Sequence, residues 1–345
     1  MPHIASPYTV KGLFRNTHYS TIYSAKIRRI RNVTQERERI TLPDGDFIDI
    51  DWSFSLTRNR TSETCLPAGK IHDQRESEAV KETNKVALLF HGLEGNAQRT
   101  YMLAMAKLLT QNGYDVAAVN FRGCSGEQNR LYRSYHSGET DDIRHLVNVI
   151  HEKDRYAHLF LYGVSLGGNA ILKYLGEKKD IPHTVTAVST IGVPADLKAS
   201  LEQLTMRENW VYRTSFLFDL RKKYRKKMPQ FPEQLSWERY HKIRSLKTFD
   251  DFYTAPAHGF KDALDYYQQA SSFKYIPEIE IPTLILNAQN DSFLHGDCYP
   301  YAFAKASKTL FLETPKYGGH VGFYQAGNVY YSEQRTLDFF EESLV

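Results

Sequence analysis

Residues 159–169 read LFLYGVSLGGN, and this stretch decides how the rest of the chain is interpreted. An apolar run ends at Tyr162, the chain turns through the Gly-x-Ser-x-Gly pattern of residues 163–167, and a helical pattern begins at Asn169. A serine on a sharp turn between a strand and a helix is exposed to substrate, and the flanking glycines leave room for it. The N-terminus of the helix also directs N–H groups toward the site. The stretch therefore predicts a nucleophilic Ser165.

Other apolar runs alternate with helical patterns along the chain. Continuous apolar runs of this length are typical of strands buried on both faces. The predicted strands cover residues 85–90, 115–120, 159–162, 184–191, 282–287 and 309–312, and an antiparallel hairpin covers residues 37–56. The predicted helices cover residues 101–112, 140–152, 169–177, 300–306 and 332–344, the last with Ser332 as its N-cap. This alternation predicts an α/β fold with a mostly parallel central sheet and helices on both faces.

The alternation stops between residues 196 and 275. This segment has no run typical of a buried strand, is helical in character and contains the basic run RKKYRKK at 221–227. It is predicted to be an inserted helical cap. Residues 1–195 and 276–345 then form the core domain, which includes an N-terminal arm and the hairpin. The basic run is interpreted as a solvated helix face, with contact to anionic lipid head groups as the alternative.

Composition narrows the class of protein. The net charge of +4 is too mild to indicate a nucleic-acid partner. Three cysteines, at positions 65, 124 and 298, are too few and too scattered for a disulfide framework or a zinc site. No stretch resembles a signal peptide or approaches the ~18 apolar residues of a spanning helix. We therefore expect a cytoplasmic protein, with peripheral membrane contact left open. The polar residues 57–84 predict a long surface connection.

Two residues that follow predicted strands are candidates for the base and the carboxylate that Ser165 needs. A serine hydroxyl needs a base to remove its proton, and the base needs a carboxylate to orient it. His320 lies in a glycine-rich loop after the last predicted strand and is the predicted base. Asp291 follows the strand 282–287 by one short turn and is the predicted acid. The alternatives are Asp297 for the acid and His295 or His258 for the base.

The oxyanion of an acyl-transfer reaction needs fixed N–H donors. The N–H of Leu166 directly follows the nucleophile, and Leu93 lies in the HGLEG loop after the first buried strand. These two residues are the predicted oxyanion hole. Glu94 is interpreted either as a bracket for this loop or as a solvated side chain. Structural roles are predicted for three neighbours, namely His91, Arg122 and Cys124.

Together these motifs resemble the YheT-type esterases of bacteria, which are related to the eukaryotic α/β-hydrolase-domain lipases and the yeast medium-chain ethyl ester synthases. The motifs are LPDGDFIDIDW (42–52), HGLEG (91–95), NFRGCSG (120–126), GVSLGG (163–168) and GGHVGF (318–323). The resemblance extends from about residue 8 to residue 340. It implies an α/β-hydrolase fold and a serine esterase with the triad Ser165, Asp291 and His320, without metal or organic cofactor. The chain departs from the family pattern at Asn96, where a serine is frequent, and around Asp291, where an acidic pair precedes Pro-Phe.

The sequence thus predicts a carboxylic ester hydrolase that works through an acyl-enzyme. The expected substrates are short- to medium-chain acyl esters or lipid-like esters. Two alternatives stay open. The first is transfer of the acyl group to an alcohol instead of water. The second is a non-catalytic binding protein built on a hydrolase scaffold, because a fold does not fix a function.

Overall fold

Nine strands form one sheet in the computed structural model, which describes residues 3–55 and 83–345. The strands are β1 (His3–Ile4), β2 (Glu36–Thr41), β3 (Phe47–Ser53), β4 (Lys85–Phe90), β5 (Asp115–Asn120), β6 (His158–Val164), β7 (Val185–Ile191), β8 (Thr283–Leu286) and β9 (Leu310–Glu313). Their order across the sheet is β1-β9-β8-β7-β6-β4-β5-β3-β2. Strand β3 runs antiparallel to both its neighbours, and all other neighbours are parallel. The predicted mostly parallel α/β sheet is confirmed.

Helices cover both faces of this sheet. They are α1 (Thr17–Ile22), α2 (Thr100–Gln111), α3 (Asp141–Glu152), α4 (Leu166–Gly176), α5 (Leu197–Thr205), α6 (Trp210–Lys227), α7 (Trp237–Lys242), α8 (Leu246–Phe249), α9 (Ala255–His258), α10 (Ala263–Ala270), α11 (Tyr301–Ala306) and α12 (Tyr331–Glu342). One apolar cluster joins α3, α4 and α11 to the sheet, and a second joins α2 and α12. Strand β4 contributes alternate residues to the two clusters, Leu88 to the first and Leu89 to the second. A strand buried on both faces reads as a continuous apolar run for this reason.

The antiparallel edge of the sheet is the predicted hairpin. Its acidic residues are buried because arginines cover them: Asp49 accepts from Arg39 at 2.7 Å and Asp51 from Arg37 at 2.6 Å. The buried guanidinium of Arg122 reaches across to the hairpin turn and lies 2.7 Å from Asp44. It also contacts Asp142 at the start of α3, at 2.6 Å, so it ties three loops together.

A helical segment is inserted between β7 and β8. It contains α5 to α10, has no strand among its residues, and has its own apolar cluster that includes Leu220, Tyr224 and Phe249. This segment, residues 196–275, is called the cap below. Its exact boundaries as a domain stay a prediction. The predicted surface connection at 57–84 and Cys65 lie outside the described residues, apart from positions 83 and 84.

Three local predictions were wrong or incomplete. Helix α4 begins at Leu166, directly after the turn, and not at Asn169. Helix α12 begins at Tyr331, and the Glu333 carboxylate accepts from the N–H of Tyr330, so Ser332 lies inside the helix instead of capping it. The sequence did not reveal β1 or α1, because both are short and lack a clear apolar period. In the described part of the chain, no helix is long and apolar enough to cross a membrane.

Candidate active site

Ser165 occupies a strained turn between β6 and α4. Its φ of 54° and ψ of −118° lie in a region that non-glycine residues rarely adopt. The turn is crowded: a Cβ on Gly167 would lie 2.5 Å from the Phe90 carbonyl oxygen, and one on Gly163 would lie 2.7 Å from the Gly168 nitrogen. Both glycines are therefore required by close backbone approach. Strain of this kind persists only where the surroundings fix it, and it concentrates at functional sites.

His320 and Asp291 form a buried pair. Nδ1 of His320 lies 2.8 Å from Oδ2 of Asp291. The other carboxylate oxygen of Asp291 accepts from the N–H of Phe293 at 2.8 Å, and the Phe293 ring packs against His320 with a centroid distance of 4.2 Å. The carboxylate is thus fixed by the backbone, and the imidazole is held by the carboxylate on one edge and an aromatic ring on its face.

The end of β7 brings Ser165 and His320 to the same place. The N–H of Ser165 donates to the carbonyl of Ile191 at 2.8 Å. The next residue, Gly192, has a φ of +62°, and a Cβ there would lie 3.2 Å from His320 Nδ1. Ser165 and His320 both line one cavity between the sheet and the cap. The structure therefore brings the three predicted residues together, as expected from strands that end at one edge of a sheet.

The loop 91–95 runs beside the serine. A Cβ on Gly92 would lie 3.2 Å from the Ser165 Cβ, and Leu93 and Leu166 both line the cavity. His91 braces the loop: its Nδ1 donates to the Gly92 carbonyl at 2.7 Å, and its Nε2 accepts from the N–H of Phe121 at 3.2 Å. Burial lowers the pKa of His91 to about 3, so the ring is neutral, and both of its nitrogens are used in these two hydrogen bonds.

A buried cluster connects this loop to the cap. Lys223 of α6 donates to the Glu94 carboxylate at 2.6 Å, and both side chains are at most 10% exposed. The Tyr135 hydroxyl donates to the same carboxylate oxygen at 2.8 Å and accepts from the Glu94 N–H at 2.8 Å. Cys124 lies 3.4 Å from the Lys223 ammonium, and burial raises the pKa of its thiol to about 11. Glu94 is therefore a bracket between the loop and the cap.

The cluster corrects the interpretation of the basic run. Lys223 and Lys227 are buried, and the Lys227 ammonium donates to the carbonyl oxygens of residues 131–133. Only part of the run, including Lys222, Arg225 and Lys226, is exposed. The predicted solvated face is wrong for the two buried lysines, because helical spacing turns positions 223 and 227 toward the core.

The N-terminal segment supplies contacts that sequence reasoning missed. The Thr21 hydroxyl accepts from the N–H of His320 at 3.0 Å. Ser24 donates to the Gly322 carbonyl at 3.1 Å, and a Cβ on Gly319 would lie 2.5 Å from the Thr21 hydroxyl oxygen. These residues hold the loop that presents His320. The glycines around His320 were the one available signal, since they indicate that another part of the chain packs closely on this loop.

The alternative candidates lie elsewhere. His295 and Asp297 pair with each other at 3.0 Å, with more than half of each side chain exposed. His258 packs against His136 with ring centroids 4.4 Å apart, and together with Glu139 they form a group whose ligand atoms lie within 4.8 Å of one another. The N–H of Gly138 donates to Nδ1 of His136 at 3.1 Å, which leaves the ring proton on Nε2, the nitrogen facing Glu139 at 3.6 Å. This tautomer disfavours metal ligation by that nitrogen.

The cavity itself is large and mainly apolar. It has a volume of about 960 Å³ including its open mouth. The cap contributes more than half of the lining residues, and its apolar members include Leu201, Leu204, Phe216, Leu220 and Phe249. A mainly apolar cavity that also carries polar side chains is typical of a small-molecule site.

Residues 86–326 match the family described as alpha/beta hydrolase fold. The chain belongs to the α/β-hydrolase family. This α/β-hydrolase is 32% identical to the YheT protein of Escherichia coli (strain K12), over 90% of this chain and 85% of the relative. It is 32% identical to phospholipase ABHD3 of Mus musculus, over 84% of this chain and 67% of the relative.

Two further similarities concern a yeast protein and a solved structure. The medium-chain fatty acid ethyl ester synthase/esterase 2 of Saccharomyces cerevisiae (strain ATCC 204508 / S288c) is 27% identical, over 97% of this α/β-hydrolase and 84% of the relative. The esterase Pf2001 of Pyrococcus furiosus has a TM-score of 0.56 at 14% identity, over 91% and 96% of the two chains, which supports the fold alone. The resemblance stated from the motifs is confirmed, and so is an esterase- and lipase-type hydrolase at the level of the family.

Proposed function

We propose that the protein is a serine hydrolase of carboxylic esters, with Ser165 as nucleophile, His320 as general base and Asp291 as orienting acid. The observation that carries this proposal is the 2.8 Å contact between His320 Nδ1 and Asp291 Oδ2, beside the cavity that Ser165 also lines. That contact leaves Nε2 as the ring nitrogen that exchanges a proton with the serine.

The proposed reaction has two halves. His320 removes the proton of Ser165 as the serine oxygen attacks the ester carbonyl, and the N–H groups of Leu93 and Leu166 hold the oxyanion. His320 then protonates the leaving alcohol, and an acyl-enzyme remains. In the second half His320 activates water, which releases the acid and restores the serine. Asp291 stabilises the imidazolium that forms in each half.

The apolar wall of the cavity supports an acyl chain as the group that it binds. Leu204 and Phe216 pack with Phe293, which itself lies on the His320 ring, so an apolar surface extends from the proposed catalytic base into the cap. We infer short- to medium-chain or lipid-like esters as substrates. The names of the similar proteins, a phospholipase and an ethyl ester synthase/esterase, are consistent with this class.

The test is hydrolysis of p-nitrophenyl esters from acetyl to palmitoyl by the parent and by Ser165→Ala. We expect the variant to lose roughly 10³-fold or more of kcat, because residual catalysis then rests on binding and the oxyanion donors. The matched control is Ser307→Ala, which should keep the parent rate. In the described part of the chain the Ser307 hydroxyl forms hydrogen bonds only with Thr309 and with the N–H of Leu310. Full turnover of every ester by Ser165→Ala would refute the assignment.

Acyl transfer to an alcohol is the second candidate, favoured by the name of the yeast relative. The same acyl-enzyme would react with an alcohol in place of water. Adding ethanol to the assay and measuring ethyl ester against free acid separates the two activities. If the ratio of ethyl ester to free acid stays below the molar ratio of ethanol to water, the enzyme does not prefer ethanol over water as acyl acceptor. This result would exclude ester synthesis as its main activity.

A further inference from the structure

One part of the cavity wall carries a carboxylate that the proposed reaction does not use. Asp250 lines the cavity and is the first residue of a π-helical turn, Asp250–Thr254, in the cap. Turns of this type are rare, and they occur frequently at functional sites. The turn lies between α8 and α9. The regular α-helical geometry of the cap is therefore interrupted at Asp250, the residue whose carboxylate lines the cavity.

The charge of Asp250 has no cationic partner in the described part of the chain. Its two oxygens accept from neutral hydroxyls, Tyr267 at 2.6 Å and Thr254 at 2.6 Å. The nearby ammonium of Lys247 forms an ion pair with the neighbouring Asp251 instead, at 2.7 Å. Burial raises the pKa of Asp250 to about 6, so the carboxylate is mainly ionised at neutral pH. A half-buried charge that is hydrogen-bonded but has no ion-pair partner is unfavourable, and a ligand of opposite charge would relieve this.

The side chains around Asp250 suit a soft cation. Tyr253, Tyr266 and Tyr267 line the same cavity, and the last two have ring centroids 5.2 Å apart. Aromatic faces beside a carboxylate are a recurrent way to bind quaternary ammonium groups, because the ring quadrupole attracts a weakly hydrated cation. Lys223 also lines the cavity, but its charge is compensated by Glu94 at 2.6 Å.

The cavity thus has two chemically different parts. Leu204 and Phe216 belong to the apolar group that packs on Phe293, next to the proposed catalytic His320. Tyr266 and Tyr267 belong to a separate cluster with Leu197 and Ala270. An ester has two parts of its own, an acyl chain and an alcohol, and the alcohol is the part that carries a quaternary ammonium in choline-type esters.

We propose that Asp250, with Tyr266 and Tyr267, forms a subsite for a quaternary ammonium group on the alcohol part of the substrate. This inference rests on the proposed ester hydrolysis and specifies its substrate class as cationic esters of the choline type. Asp250 supplies the compensating charge, and the tyrosine rings supply the surface on which the methyl groups pack.

The experiment compares two esters of the same shape and different charge, butyrylcholine and 3,3-dimethylbutyl butyrate. In the second ester a carbon replaces the charged nitrogen. We expect the parent to have a higher kcat/KM for the cationic ester by about tenfold or more, since each tenfold corresponds to about 1.4 kcal/mol of differential binding. Asp250→Asn should abolish this preference, because the kcat/KM of the cationic ester falls relative to that of the neutral ester.

The matched control is Asp251→Asn, which removes a carboxylate from the next residue of the same turn. It should keep the preference of the parent for butyrylcholine. An equal preference in the parent and Asp250→Asn, or no preference in the parent, would overturn the subsite. If Asp250→Asn hydrolyses neither ester, its melting temperature shows whether the variant is still folded. The binding measurement described next then decides whether the subsite exists.

Binding of butyrylcholine is measured by calorimetry in the Ser165→Ala background, with and without Asp250→Asn. Weaker binding in the double variant by tenfold or more supports the subsite even if the parent hydrolyses neither ester, in which case only the proposed reaction fails. Equal binding in both proteins refutes the subsite while leaving the proposed hydrolysis of other esters intact.

Discussion

The positions of the proposed catalytic side chains depend on single backbone contacts. Ser165 is held at a φ of 54° because its N–H donates to Ile191 while Gly163 and Gly167 allow the backbone to pass closely. The backbone of His320 is held in a comparable way by the Thr21 hydroxyl, which comes from a helix almost three hundred residues earlier in the chain. Positioning of this kind matters because small displacements of a catalytic group reduce the rate steeply.

Replacing Thr21 by Val tests this contact. The variant keeps the shape of the side chain but leaves the buried N–H of His320 without its acceptor, at a cost of about 1–3 kcal/mol. We expect kcat for p-nitrophenyl butyrate to fall by roughly tenfold with little change in KM, because binding of the acyl chain does not involve the loop. Thr21→Ser keeps the hydroxyl and should restore most of kcat. A Thr21→Val enzyme with the parent kcat would show that the loop holds His320 without this bond.

At the scale of elements, the cap is joined to the loop 91–95 by a buried ion pair. Helix α6 contributes Lys223 and the loop contributes Glu94, whose φ of 50° shows that the backbone there is constrained. Tyr135 binds the side chain and the N–H of Glu94 at once. Movement of α6 would therefore be transmitted to the residue next to Leu93, the proposed oxyanion donor.

A double-mutant cycle measures this coupling. Removal of one partner leaves a buried charge unpaired, so we expect Lys223→Met to lower the free energy of unfolding by about 3–5 kcal/mol. Glu94→Gln should destabilise the protein too, and the double variant should lose less than the sum of the two. Lys222→Met, at an exposed position of the same helix, is the control and should change stability by about 0.5 kcal/mol or less. Additive effects in urea unfolding would contradict a direct interaction.

At the scale of the whole molecule, the buried amine of Lys227 should make the free energy of unfolding depend on pH. Burial lowers the pKa of Lys227 to about 7, although three backbone carbonyls accept from its ammonium. The unfolded chain keeps this lysine protonated up to a pKa of about 10.4. Between pH 7 and pH 10 the unfolded state therefore binds more protons than the folded state, and the contribution of Lys227 to stability rises with pH.

Comparing the parent with Lys227→Met isolates this effect. We expect the difference in the free energy of unfolding, parent minus variant, to increase by about 2 kcal/mol between pH 7 and pH 9. The control is Lys226→Met, which removes the ammonium group of an exposed neighbour on the same helix. Urea denaturation at pH 7, 8 and 9 provides the values. A constant difference for Lys227→Met would mean that the carbonyls keep the amine charged and its pKa ordinary.

Local patterns in the sequence were sufficient to predict strands β2 to β9 and the candidate residues of the site, but not the edge strand β1. Strands β4 to β9 are short apolar runs that end in glycine-rich or polar turns, so their positions and their parallel arrangement followed from periodicity. Ser165, Asp291 and His320 each stand close after one of those strands, and chain order alone placed them at one edge. These features are local, because a strand that is buried on both faces consists of a nearly continuous run of apolar residues.

Only the tertiary structure decided how the cap and the N-terminal segment meet the site. Thr21 bonds to His320 across the chain, and the glycines beside His320 indicate close packing on this loop without identifying the segment that packs there. The sequence predicted a solvated face for the run 221–227, yet Lys223 and Lys227 are buried. Lys223 forms an ion pair with Glu94, and Lys227 donates to backbone carbonyls of a distant loop. A buried charge is tolerated only where a partner exists, and the partner is supplied by packing, which short-range pattern does not encode. The sequence by itself determined strands β2 to β9 and the candidate residues. The tertiary structure determined the contacts that hold those residues and the cavity that Asp250 lines.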